Sequence, residues 1–143
     1  MTSGRSGGLA GVVVGETKVS TVGQEGHGLT YRGYSIEDLS SKSTFEEVAY
    51  LLIHDTLPNT SQLADYKAEL VSMRALPAPL KTVLEQIPAD AHPMDVLRTG
   101  TSALGTMEPE GGERSQTWAA DRLTSSMASM LLYWYHFTRD GKR

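Results

Sequence analysis

The stretch from Asp90 to Leu104 constrains the fold more tightly than any other part of the chain. It reads as a turn, a helix start and a helix. Asp90 offers a side-chain acceptor ahead of the helix. Pro93 suits a first helical position, where its missing N–H would have gone unpaired. Asp95 falls in the first turn, where a negative charge meets the positive end of the helix dipole. Met94, Leu97, Thr101 and Leu104 then follow at spacings of three, four and three, which predicts a helix over Pro93–Leu104 with those residues on one face.

Helical patterns flank this stretch on both sides. Ser35 to Leu39 reads as one capped turn. Ser43 with Glu46 makes a capping-box pair, and Thr44 with Glu47 offers the same pattern one residue later. The helix behind that cap carries Phe45, Val48, Ala49 and Leu52 on one face and ends near His54 and Asp55. Asn59-Thr60-Ser61 caps a further helix bearing Leu63, Tyr66, Leu70 and Met73. Pro77 and Pro79 open a shorter one with Leu80, Val83, Leu84 and Ile87, stopped by Pro88. Beyond Leu104, Glu108-Pro109-Glu110-Gly111-Gly112-Glu113 is a breaker cluster and predicts an exposed loop. The last helix is expected from about Ser115 to about Thr138, with Leu123, Met127, Met130, Trp134 and Phe137 as its apolar stripe. Ser125, Ser126, Ala128 and Ser129 make its middle narrow, and Asp140-Gly141 ends it.

Before Ser35 the pattern changes. A β-branched run from Val12 to Val19 and a second run, Leu29 to Arg32, flank a glycine-rich turn and predict a small hairpin. Residues 1–8, MTSGRSGG, are expected to be a flexible terminus without the apolar segment of a secretory signal. The fold class is therefore mostly α with a small N-terminal β-hairpin, of a length that suits one domain.

Composition removes several functions. The net charge of −4 speaks against nucleic acid as a partner. No apolar run reaches the ~18 residues of a membrane span, so no membrane is expected. The absence of cysteine excludes disulfides, thiol catalysis and thiolate metal sites. A cytoplasmic location is the default. Four histidines, His27, His54, His92 and His136, never pair at a three- or four-residue helical spacing. His27 belongs in a solvated glycine turn, His54 should serve the C-terminal end of its helix, and His136 should be a hydrogen-bonded surface residue. His92, beside Pro93, is expected to hold the turn and to do no acid–base work. Gly23, Gly26, Gly28 and Gly33 match neither phosphate-binding spacing. No catalytic, cofactor-binding or metal-binding residue follows from these patterns, and substrate-binding residues stay unknown.

Five segments in order carry a resemblance. They are Gly8 to Val14, Leu29 to Leu39 (LTYRGYSIEDL), Phe45 to His54 with Leu57-Pro58, His92 to Gly100 (HPMDVLRTG), and Leu131 to His136 (LLYWYH). Together they resemble the citrate synthase family, most of all its 2-methylcitrate synthase branch. The resemblance implies a citrate-synthase-like helical large domain, of which residues 9–143 would be the N-terminal part. It implies an acyltransferase of propionate catabolism that condenses propionyl-CoA with oxaloacetate and water. Coenzyme A would be carried by the substrate, with no separate cofactor. The family's catalytic Asp and two His, its coenzyme A loop and its substrate arginines would lie in motifs beyond Arg143, so this chain alone should be silent. Plain citrate synthase chemistry on acetyl-CoA and a non-catalytic helical interaction module are the alternatives. The resemblance also implies a homodimer, with the helices Pro93–Leu104 and Ser115–Thr138 at the contact and Ser125, Ser126, Ala128 and Ser129 admitting a partner helix.

Overall fold

The computed structural model describes residues 12–13, 15–22 and 28–143. The chain divides into two compact units, Met1–Ser43 and Thr44–Arg143. The expected flexible terminus and His27 lie outside the described residues.

In the first unit β1 (Ser20–Thr21), β2 (Thr30–Tyr31) and β3 (Tyr34–Ser35) form an antiparallel sheet in the order β1-β2-β3, followed by α1 (Ile36–Lys42). The expected small antiparallel β element is present, with an outline that differs from the expected hairpin. The described residues of the Val12–Val19 run form no strand, and a third strand appears after Gly33. The cause is the tight link between β2 and β3. Arg32 and Gly33 both have positive φ, 50° and 87°, as a primed two-residue hairpin turn requires. That turn sets Tyr31 opposite Tyr34, whereas β-branched content is only a weak guide to pairing. Ser35 ends β3 and also caps α1, its hydroxyl accepting from the Glu37 and Asp38 N–H groups.

The second unit is α-helical: α2 (Phe45–His54), α3 (Thr60–Ser72), α4 (Ala78–Glu85), α5 (Pro93–Met107) and α6 (Gln116–Asp140). At 25 residues α6 runs roughly 37 Å, and each of the other four helices packs against it. The apolar core lies where α4, α5 and α6 meet, with Leu80, Leu84, Val96, Leu104, Met130 and Trp134 buried together. α2 and α3 pack on each other and on α6. The capping signals at the starts of α2 and α3 act as read, with one choice resolved. Thr44 and Glu47 form the box at α2, while Ser43 closes α1. A reciprocal Asn59–Gln62 box starts α3.

Two apolar faces turn out differently from their spacing. On α5 the buried positions are Val96, Gly100 and Leu104, while Met94 is 63% exposed. Gly100 explains the rotation, because it contributes nothing to a hydrophobic pattern yet sits at a close contact with α4 and α6. A Cβ there would lie 3.0 Å from Met130 Sδ and 3.3 Å from Leu84 Cδ2. On α2 the fully buried residue is Leu51, and Phe45, Val48, Ala49 and Leu52 instead line an open groove. α6 also departs from expectation in two of its four small residues, since Ser125 and Ser126 are buried while Ala128 is exposed and Ser129 half-buried. Ser126 is completely buried by its own chain, so it does not present a surface to a partner.

Candidate functional site

The buried charges of the second unit gather on α6 at two adjacent residues, Asp121 and Arg122. Adjacent residues point about 100° apart around a helix, so the pair serves two different sets of neighbours. Asp121 meets α2 and α3. The Tyr66 hydroxyl donates to Asp121 Oδ1 at 2.6 Å, and His54 Nε2 lies 3.4 Å from Oδ2. The Tyr50 ring stacks on His54 at 4.3 Å, and the Tyr66 ring meets both edge-on. His54 thus turns its nitrogen toward Asp121 of another helix, and not toward the last carbonyls of its own. Burial first, and then the hydrogen bond to Asp121, push the Tyr66 phenol well above the ordinary tyrosine range. The phenol serves here as a hydrogen-bond donor to Asp121.

Arg122 serves the ends of α3 and α5. Its Nε and Nη2 donate to the two oxygens of Glu108 at 2.7 and 3.0 Å. Nη2 also donates to the Ala75 carbonyl at 3.0 Å, and Nη1 to the Met73 carbonyl. Helix C-termini leave carbonyls without helical partners, and the planar guanidinium satisfies the C-cap carbonyl of α3 and one in the loop just beyond it while gripping a carboxylate with both arms. Glu108 closes α5 as its C-cap, so the first residue of the expected exposed loop is instead largely buried, its side chain 17% exposed. The Ser125 and Ser126 hydroxyls donate back to the Asp121 and Arg122 carbonyls, each at 2.7 Å. The spacing Arg122, Ser126, Met130 carried a signal for this hub: a charged residue lay in line with the deepest apolar position of the helix.

The remaining polar groups are nearer the surface. The Tyr133 hydroxyl donates to Glu85 Oε1 at 2.6 Å, and Arg143 grips both Glu85 oxygens at 3.0 Å. These donors hold the Glu85 carboxyl below its usual range, the Tyr133 bond contributing most. Lys81, Tyr133, His136 and Arg143 line a cavity of about 480 Å³ beside them. His136 Nδ1 sits 3.1 Å from Asp140 on the exposed face of α6, as expected of a surface histidine. His92 is the N-cap of α5: its Nδ1 accepts from the Met94 N–H at 3.2 Å. The ring holds the turn as predicted, and it takes the capping place assigned to Asp90. An acceptor Nδ1 puts the ring proton on Nε2. Among the described residues, no group of three or more His, Asp or Glu could hold a metal ion. No helix there is long and apolar enough to cross a membrane. Chemically, both arms of the hub anchor helices, because Tyr66, Arg122 and Glu108 are committed to one another's helices or to backbone.

Comparison with known proteins supplies what this geometry does not. Residues 8–143 match the family model described as "Citrate synthase, C-terminal domain". The chain belongs to the citrate synthase family. It is 57% identical over 136 residues to a Shewanella oneidensis protein named 2-methylcitrate synthase, covering 95% of this chain and 36% of that protein. A Corynebacterium glutamicum protein named 2-methylcitrate synthase 2 is 48% identical over 103 residues, 72% of this chain and 27% of its own length. The crystal structure of citrate synthase from Thermotoga maritima superposes with a TM-score of 0.78 at 34% identity, covering 95% of this chain and 35% of that one. The chain therefore spans about a third of the length of the relatives it matches. Of the five segments that suggested the family, Gly8 to Val14 falls largely outside the described residues, and the others keep their order along the fold: LTYRGYSIEDL runs through β2, β3 and into α1, FEEVAYLLIH is α2, HPMDVLRTG caps and opens α5, and LLYWYH lies in α6.

Proposed function

We propose that the chain forms the N-terminal portion of a 2-methylcitrate synthase, an acyltransferase that joins propionyl-CoA to oxaloacetate. The α-carbon of propionyl-CoA loses a proton and attacks the keto carbon of oxaloacetate. Water then cleaves the thioester, giving 2-methylcitrate and free coenzyme A. The observation that carries this reading is the 57% identity, over nearly the whole chain, to a protein bearing that name. On this reading the base and the two histidines of the reaction belong to the part of the enzyme outside these 143 residues, and α2 to α6 act as scaffold.

The test is thiol release from propionyl-CoA and oxaloacetate. The purified 143-residue chain should show no rate above the uncatalysed reaction, and turnover by it would overturn the division of labour. The longer polypeptide that the reading requires should turn over propionyl-CoA faster than acetyl-CoA. The reverse preference would favour plain citrate synthase chemistry, a reading supported by the likeness to the Thermotoga maritima enzyme.

The working unit in this proposal is a homodimer in contact through the outer faces of α5 and α6. In support, Leu132 and Tyr135 of α6 are 55% and 44% exposed, and Met94 stands out from α5. Around a two-fold axis a residue near the contact meets a copy of its own surroundings, so one change is felt twice. Leu132→Asp in the longer polypeptide should shift the mass by light scattering from dimer to monomer at low micromolar concentration. An unchanged dimer would place the contact elsewhere. Leu132 suits this test better than Ser126, which is enclosed by its own chain.

A further inference from the structure

No further inference is drawn: the strongest candidate, the apolar groove between α2 and α6 lined by Phe45, Val48, Ala49, Leu52, Ala120 and Thr124, is an open face of the fold, and nothing in the structure shows what covers it.

Discussion

The N-terminal third of α6 and its C-terminal half are held in contrasting ways. Near Asp121 and Arg122 the helix is fastened by directed hydrogen bonds to Tyr66 of α3, to the chain leaving α3 and to the end of α5, with His54 at the end of α2 beside Asp121. Around Met130 and Trp134 it is fastened chiefly by close apolar packing against α4 and α5, with two polar ties, the indole N–H to the Ile87 carbonyl and the Tyr133 hydroxyl to Glu85. The difference follows from what each region must cover. Helix ends expose carbonyls that need donors, and mid-helix surfaces expose only side chains. A hub of fixed donors demands a particular geometry, whereas an apolar core accepts any filling of the right volume. The hub thus specifies which helix ends meet, while the core supplies most of the attraction between the helices.

The largest expected effect breaks the comparison directly. Arg122→Lys keeps the charge but loses the planar fork, leaving Glu108 and the Met73 and Ala75 carbonyls short of donors. It should cost about 2–3 kcal/mol of unfolding free energy, the scale of several lost hydrogen bonds in a largely buried cluster. Leu84→Met, at a fully buried core position, conserves volume and should cost less than about 1.5 kcal/mol. Urea titrations of both variants give the two numbers. Equal costs would mean that the hub is no more geometric than the core.

A smaller effect sharpens the contrast through pH. Tyr66→Phe removes the donor to Asp121 and should cost about 1 kcal/mol at pH 8. The Tyr66 pKa is raised in the folded protein, so its contribution is whole below about pH 10, the ordinary tyrosine value. It is lost as pH climbs from there toward the higher folded value. The gap between wild type and variant in urea midpoint should therefore narrow at pH 11 relative to pH 8. A gap that stays the same or widens would show that Tyr66 does not hold its proton more tightly when folded.

The last pair of variants, which includes the smallest effect, concerns an exposed polar contact away from the hub. His92→Leu removes the cap of α5 and should cost about 1 kcal/mol, while His92→Asn replaces one good cap by another and should stay within about 0.5 kcal/mol. Thermal unfolding of the pair is the measure. If Asn is as damaging as Leu, the ring does more than accept the Met94 N–H.

Local chemistry was legible from the residues. The Thr44–Glu47 box, the prolines around α4, Pro93 at the start of α5 and Gly141 at the end of α6 act where the sequence placed them. These signals work within one turn of backbone, so no distant partner can override them cheaply. The family segments were legible for a different reason: they are runs of neighbouring residues that can be read without knowing the fold.

What the tertiary structure decided concerns faces and partners. Gly100 counts as nothing in a hydrophobic pattern, yet the close approach of Met130 makes it the inward face of α5 and turns Met94 outward. Ser126 looked like an opening for a second subunit and is enclosed by its own. Glu108 looked like loop and is a half-buried partner of Arg122, fourteen residues away. Asp121 was one carboxylate among many until α2 and α3 brought His54 and Tyr66 to it across 67 and 55 residues. A sequence determines turns and caps because their energies depend on residues three or four apart. Which side of a helix is buried, and which charges find each other, depends on surfaces that exist only once the helices have packed.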